Sequence, residues 1–299
     1  LFIKISVMTD TTIFAVSDTF KTKGYILTKY YPNGNYKPYS MYSDPWGFSN
    51  TAQQMWPATW YSRFDYQGED PFTDRQYSQW QGNFVFASSL SSEFPDWPSF
   101  VNTFGTSACY TSLFLGMYSP TALSHWESNK GPWKGSCFGI AISNFLVWEN
   151  KESFRNRYPN FPNFTNPIEV FSSFNTIPVI NELFTHQFGN PHRDYRSNVG
   201  LNKTPNQTLN DIKQMLITDG APVQTLSFNN NNGTGGHAVI VYKVEKDTAS
   251  QFIFYAYVYD NAYPDSLNAR IYFNMSINGG NGSWGFANHW PGWGGFNWI

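Results

Sequence analysis

The stretch GSCFGIAISNFLVWE, residues 135–149, joins a Gly- and Pro-rich loop to a long apolar run. Ile142, Phe145 and Leu146 fall at i, i+3 and i+4 in this run, the spacing of residues that share one face of a helix. We therefore predict a buried helix that begins at Cys137 and continues to Glu149.

Cys137 lies where the predicted loop becomes the predicted helix. The first turn of a helix carries unpaired N–H groups and the positive end of the helix dipole, and both favour a thiolate. The same N–H groups can hold an oxyanion formed next to the sulfur. Cys137 is thus a candidate nucleophile. The alternatives are a buried core thiol and a disulfide with Cys109, the other cysteine of the chain.

Two segments downstream supply partners for such a thiol. In GGHAVIV, residues 235–241, a glycine pair places His237 at the mouth of an apolar strand, where its imidazole can serve as base and then as acid. In YVYDNAYP, residues 257–264, Asp260 or Asn261 can hold the second ring nitrogen of the histidine. The alternative interpretations are a histidine that caps a strand and an ordinary turn before proline.

The remaining pattern indicates an α+β protein. A helix is predicted from Thr208 to Thr218, and four strands are predicted at Pro222–Phe228, His237–Val244, Phe252–Asp260 and Arg270–Met275. A helix-rich middle followed by an antiparallel meander is typical of the α+β class. Residues 30–100 show no sustained period, so we expect irregular, aromatic-rich structure there with one or two short helices.

The order of these elements resembles that of the papain-like cysteine peptidases: a Cys helix, a His strand, then Asp or Asn at the end of the next strand. The segment DGAPV, residues 219–223, followed by GGHAV, is similar to the double-glycine-leader peptidase branch. Certain bacterial and archaeal surface proteins with Gly-X-Cys-(Phe/Tyr)-Gly, Gly-Gly-His-Ala-Val and Val-Tyr-Asp-Asn-X-Tyr-Pro are also similar. In those proteins Gly-Phe-X-Asn and Phe-Gly precede the Cys, as residues 47–50 and 104–105 do here.

This resemblance implies a papain-like fold in which the nucleophile helix packs on an antiparallel sheet or half-barrel. Residues 101–299 would form the hydrolase domain, with residues 1–100 as an aromatic-rich N-terminal segment packed on it. The implied catalytic triad is Cys137, His237 and Asp260, and no cofactor is implied.

The chain departs from the papain-like pattern at one position. These enzymes usually carry a Gln six residues before the Cys, which helps to bind the oxyanion, but Gly131 occupies that position here. The nearest side-chain amide is Asn129, eight residues before the Cys, and we take it as a candidate oxyanion donor. Asn261 is a second candidate for an orienting or oxyanion-binding role.

The composition limits the partners and the location. Charged residues are only 13% of the chain and the net charge is −2, so no basic patch points to nucleic acid. No apolar run is long enough to span a membrane. The charge-poor, amide- and hydroxyl-rich composition resembles that of exoproteins of thermoacidophilic archaea, so we expect an extracellular or cell-surface protein. Candidate glycosylation sites are the six sequon asparagines Asn163, Asn202, Asn206, Asn232, Asn274 and Asn281.

We expect no metal. The histidines outside the candidate triad, which are His125, His186, His192 and His289, show no metal-ligand spacing. A site built from His186, His192 and Asp194 is the minor alternative.

Three functions are compatible with these patterns. The first is a secreted cysteine peptidase or amidase that cleaves a peptide or protein substrate through an acyl-thioester on Cys137. The second is a non-catalytic surface, filament or assembly protein on a papain-like scaffold, which would self-associate or bind a cell surface. The third is a transglutaminase-like acyl transferase. A disulfide between Cys109 and Cys137, or a large distance from Cys137 to His237, would favour the second.

Overall fold

The computed structural model describes residues 4–7, 10–16, 25–31, 33–55, 68–69, 76–80, 83–86, 94–95, 97–113, 115–218, 224–230, 235–286 and 288–296. These residues form an α+β fold, as predicted. The described helices are α1 (Ala52–Met55), α2 (Trp97–Phe104), α3 (Thr106–Cys109), α4 (Pro120–Asn129), α5 (Cys137–Arg157), α6 (Ile177–Thr185), α7 (Asn190–Asn198) and α8 (Pro205–Ile217). Single 3-10 turns lie at Pro167–Glu169, His186–Phe188, Gly200–Asn202 and Asn278–Gly280.

The described strands are β1 (Lys4–Val7), β2 (Asp10–Val16), β3 (Tyr25–Ile26), β4 (Thr28–Tyr30), β5 (Tyr36–Pro38), β6 (Gly68–Glu69), β7 (Gln76–Trp80), β8 (Asn83–Phe86), β9 (Tyr110–Ser112), β10 (Met117–Tyr118), β11 (Leu226–Asn229), β12 (Gly236–Lys246), β13 (Ile253–Tyr259), β14 (Arg270–Asn274), β15 (Ser283–Gly285) and β16 (Gly294–Gly295). The strands at Gly68–Phe86 form a three-stranded sheet, so the expectation of irregular structure over residues 30–100 was wrong there. That region has no long apolar run to reveal short strands.

The central sheet is an antiparallel meander in the order β11-β12-β13-β14-β15-β16, and β3 pairs with β12 on the edge opposite β13, further along the strand than β11. Residues 238–241 of β12 are buried at every position instead of alternating. Such a run indicates a strand that is covered on both faces, and α5 and α8 both pack against β12. The predictions for β12, β13 and β14 are confirmed. Residues 219–223, with the predicted start of β11, lie outside the described residues.

Helix α5 begins at Cys137, as predicted, and continues past Glu149 to Arg157. Its buried side includes Ile140, Ala141 and Phe145, whereas Leu146 is exposed, so the predicted apolar face was only partly right. The helix kinks at Asn150, where φ is −154° and ψ is 89°.

Residues 25–55 share a core with the elements that follow Cys137. Trp46 and Phe48 are buried in the same cluster as Val239 and Val258. The Trp46 indole Nε1 donates to Ser143 Oγ on α5 at 2.8 Å. This part of the N-terminal region is therefore attached directly to the helix that carries Cys137.

None of the helices in the described part of the chain combines the length and apolarity that a membrane crossing requires.

Candidate active site

The end of β13 places a carboxylate next to the start of β12. Asp260 follows the last residue of β13, and His237 is the second residue of β12, so the antiparallel pairing of these strands brings the two side chains together. His237 Nε2 lies 2.8 Å from Asp260 Oδ1. The histidine is 5% exposed and the aspartate is fully buried, so solvent does not compete for this contact.

Cys137 completes the chain of contacts. Its side chain interacts with that of His237 and contributes to the rise in the pKa of the imidazole. Because Nε2 of the imidazole is bound to Asp260, Nδ1 is the ring nitrogen that is left for the thiol. The sequence-predicted residues Cys137, His237 and Asp260 are thus brought together at one place in the structure.

The electrostatics of the site favour a charged imidazole. Burial lowers the pKa of His237, but the hydrogen bonds with Asp260 and Cys137 outweigh it and raise the pKa to about 9. Burial also raises the pKa of Asp260, but the interactions with His237, Trp290 and His289 together outweigh it, so that this pKa falls to about 2. A histidine held by a buried carboxylate beside a cysteine is an arrangement that can activate the thiol as a nucleophile.

The loop before Cys137 is fixed by two side-chain amides. Ser136 N donates to Asn50 Oδ1 at 2.6 Å, and Ser136 Oγ donates to Asn181 Oδ1 at 2.8 Å. These contacts hold the N-cap residue of α5, and they therefore set where the thiol of Cys137 enters the site. No sequence pattern singles out Asn181.

Asn261 joins the helix and the strands. Its Nδ2 donates to the carbonyl of Cys137 at 3.0 Å and to the carbonyl of Ala238 at 2.9 Å. The residue is buried and both of its amide hydrogens are bonded. Asn261 therefore links α5 to β12 through its side chain. The residue that contacts the imidazole is Asp260, not Asn261.

Two C-terminal residues surround the carboxylate, and sequence reasoning missed both of them. Trp290 Nε1 donates to Asp260 Oδ2 at 2.9 Å, and its ring lies 4.8 Å from that of His237. His289 Nδ1 lies 3.1 Å from the same oxygen, and its Nε2 lies 2.8 Å from Ser266 Oγ. Their segment, rich in Trp and Gly, carries no periodic pattern, so no signal linked it to Asp260.

Asn129 is occupied elsewhere. Its Nδ2 donates to the carbonyl of His125 at 2.7 Å, one turn back on α4. No hydrogen bond in the described part of the chain joins this amide to Cys137 or His237. The amide is therefore committed to its own helix.

Both cysteines are free, so the alternative of a disulfide between Cys109 and Cys137 is not realised in the structure. Cys109 is fully buried, and burial raises the pKa of its thiol to about 12. Such a thiol is almost entirely protonated at neutral pH and is a poor nucleophile.

No group of three or more His, Cys, Asp or Glu side chains among the described residues could hold a metal ion. His192 Nδ1 instead lies 3.0 Å from the carbonyl of Gln187, and His125 Nε2 lies 2.7 Å from that of Phe188. These contacts use the histidine nitrogens in loop and helix packing.

Of the sequon asparagines, Asn163, Asn202 and Asn281 are exposed, Asn206 and Asn274 are half-buried, and Asn232 lies outside the described residues.

A cavity of about 470 Å³ lies beside the site. It is bordered by residues 46–49, which precede Asn50, and by residues 262–266, which follow Asn261. The backbone N–H of Asn50 donates to the carbonyl of Asn261 and joins these two segments. Cys137 and His237 are not among its lining residues.

Comparison of the chain with protein-family models, curated proteins and solved structures finds no match.

Proposed function

We propose that this protein is a secreted, papain-like cysteine hydrolase that cleaves a peptide-like amide bond through an acyl-thioester on Cys137. The observation that carries the proposal is the series Asp260–His237–Cys137, with the thiol at the first position of α5. The packing of α5 against β12 of an antiparallel sheet supports the papain-like assignment.

The contacts define a role for each residue. The Cys137 thiolate attacks the carbonyl carbon, and the carbonyl π electrons move to oxygen. When the carbonyl re-forms, the C–N bond breaks and the leaving amine takes the proton from His237. His237 then removes a proton from water, the hydroxide attacks the thioester, and the thiolate leaves as the carboxylic acid forms. Asp260 holds the ring and stabilises its positive charge throughout.

The location outside the cell rests on the surface composition. Charged residues make up 13% of the chain, and three of the sequon asparagines, Asn163, Asn202 and Asn281, present exposed side chains. Amides and hydroxyls keep their polarity when carboxylates are protonated, which suits an acidic exterior.

Alkylation with iodoacetamide at neutral pH tests the nucleophile. We expect a single rapid modification of the wild-type chain, at Cys137, and none in Cys137→Ala. Cys109→Ala is the matched control, since that buried thiol has a raised pKa and its removal leaves rapid labelling unchanged. Equal rapid labelling of Cys137→Ala would refute the assignment. His237→Ala is expected to slow labelling of Cys137 by more than about tenfold near neutral pH because the thiolate loses its counter-ion.

A peptide library analysed by mass spectrometry distinguishes hydrolysis from the alternatives. New carboxyl termini that depend on Cys137 support the hydrolase. Incorporation of an added primary amine in place of water identifies an acyl transferase. A reactive thiol that never forms an acyl-enzyme with any peptide would favour the non-catalytic scaffold, although the two features expected of that scaffold, a disulfide and a distant histidine, are not found.

A further inference from the structure

The proposed reaction passes through a tetrahedral oxyanion that needs hydrogen-bond donors. The first N–H groups of a helix have no acceptor within the helix, so the backbone N–H of Cys137 is one donor. Asn129 is bound to the carbonyl of His125 within α4 and does not supply a second. A second donor has to come from another part of the chain.

Asn50 lies between the two halves of the site. Its backbone N–H donates to the carbonyl of Asn261 at 2.8 Å, which ties it to the segment after Asp260. Its Oδ1 accepts from Ser136 N at 2.6 Å, which ties it to the residue before Cys137. The residue therefore bridges the helix that carries the nucleophile and the loop that carries the acid.

These contacts also fix which way the amide of Asn50 is turned. A backbone N–H can only donate, so the atom facing Ser136 N has to be the amide oxygen. The other amide atom, Nδ2, is thereby a donor, and it donates to none of the residues that the structure describes. Asn50 is only partly buried, and its Nδ2 is not among the fully enclosed side-chain atoms that lack a partner in the described part of the chain.

Gly135 makes room for that donor. It has a φ of 128°, a conformation that favours glycine, and a Cβ at this position would lie 2.8 Å from Asn50 Nδ2. The free amide nitrogen thus lies over the backbone immediately before Ser136 and Cys137. Any other residue at position 135 would push the amide of Asn50 away, so glycine here keeps the amide next to the start of α5.

We propose that Asn50 Nδ2 and the backbone N–H of Cys137 together form the oxyanion hole. This inference rests on the proposed function. The amide of Asn50 would replace the missing side chain at Gly131, reaching the site from a segment 86 residues before Ser136. As the thiolate attacks, the carbonyl π electrons become the oxygen lone pair that these two donors bind. They release it when the C–N bond breaks and the carbonyl re-forms.

Two reactions of Cys137 separate this role from a structural one. Iodoacetamide alkylates the thiolate by displacing iodide from a saturated carbon, so no oxyanion forms. p-Nitrophenyl acetate acetylates it through a tetrahedral oxyanion and releases p-nitrophenolate, which is followed by its absorbance. Both reactions start from the same thiolate, so the ratio of acetylation to alkylation rate constants cancels any change in the thiolate fraction.

We expect Asn50→Ala to lower that ratio by about 10²–10³-fold, the usual effect of removing one oxyanion donor. Asn50→Asp keeps an acceptor for Ser136 N but removes the free donor, and we expect a loss at least as large. Asn129→Ala is the matched control and should leave the ratio unchanged, because that amide is bound within α4.

An unchanged ratio in both Asn50 variants would overturn the proposal, as would a selective loss in Asn129→Ala. An equal fall of both rate constants in Asn50→Ala and Asn50→Asp would also overturn it, since it would show that Asn50 only holds the loop. Failure of the proposed function looks different: wild-type Cys137 would then form no acetyl-enzyme at all, whatever its rate of alkylation.

Discussion

Replacing Asp260 with asparagine tests the electrostatic basis of the site. Its Oδ1 accepts from His237 Nε2 and from Ala262 N, at 2.8 and 3.0 Å. Its Oδ2 accepts from Trp290 Nε1 at 2.9 Å and faces His289 Nδ1. Asparagine offers one oxygen and one NH₂ group. Whichever way that amide turns, its NH₂ meets an N–H that can only donate, either the backbone of Ala262 or the indole of Trp290.

The magnitude follows from the pKa of His237. At about 1.4 kcal/mol per pKa unit, the rise from 6.5 to about 9 corresponds to about 3 kcal/mol in favour of the imidazolium. Burial opposes this rise, so the hydrogen bonds with Asp260 and Cys137 together supply more than that net amount. Among the contributions that raise the pKa, the hydrogen bond with Asp260 is the largest. We therefore expect Asp260→Asn to lower the pKa of His237 to below about 8.

The assay is an NMR titration of the protein labelled with ¹³C at histidine Cε1. The chain has five histidines, and His237→Gln identifies the signal of interest. Asp265→Asn is the control, because it removes a carboxylate from the same loop that does not contact the imidazole. A His237 signal that titrates near 6.5 in the wild type, or at the same pH in Asp260→Asn, would refute the reasoning.

Three further predictions concern stability. Folding raises the pKa of His237, so the contribution of this residue to the free energy of unfolding is complete below about pH 6.5 and is lost as the pH rises through about 9. Folding lowers the pKa of Asp260, so its contribution is complete above about pH 4 and is lost as the pH falls through about 2. Urea unfolding at several pH values should thus show a maximum near pH 4–6.5. Gly139→Ala places a Cβ 2.1 Å from the carbonyl oxygen of Ile180, and we expect a loss of at least about 2–3 kcal/mol in the free energy of unfolding. Trp290→Phe keeps a ring beside His237 but removes a charged hydrogen bond to Asp260, so we expect a loss of about 1.5–3 kcal/mol in the same assay.

Each of these has a contrasting result. His237→Gln should lack the alkaline loss of stability, and an identical pH profile would contradict the linkage. Leu146→Ala, on an exposed position of α5, should change the unfolding free energy much less than Gly139→Ala. Trp293→Phe leaves the Trp290–Asp260 contact in place and should not change the pKa of His237. If Trp293→Phe lowers the free energy of unfolding more than Trp290→Phe does, aromatic packing outweighs the hydrogen bond to Asp260.

Part of the fold is encoded locally and was predictable. The start of α5 at Cys137 follows from a glycine-rich loop that runs into apolar residues, and β12 follows from the glycine pair before His237. The extent of α5 was not predictable, because the segment after Glu149 is polar and its helix continues on the far side of the kink at Asn150.

The residues of the candidate site also fall into those that a sequence pattern predicts and those that it does not. Cys137, His237 and Asp260 were found because each stands at the end of an element with a clear pattern. Asn50 and Trp290 were not assigned roles, because each lies in irregular backbone and acts only through contacts made in space. No local spacing records such contacts.

The bridging of the site by distant segments has a consequence for when the thiol becomes reactive. Cys137 and Asn261 are 124 residues apart, and Trp290 follows Asp260 by a further 30. Contacts of such long sequence separation are slow to form because loop closure has to precede them. A nascent chain that has not yet emerged through Asp260 carries Cys137 without the carboxylate that raises the pKa of His237. If Cys137 is the nucleophile proposed above, the order of synthesis would keep it latent until that carboxylate has folded into place.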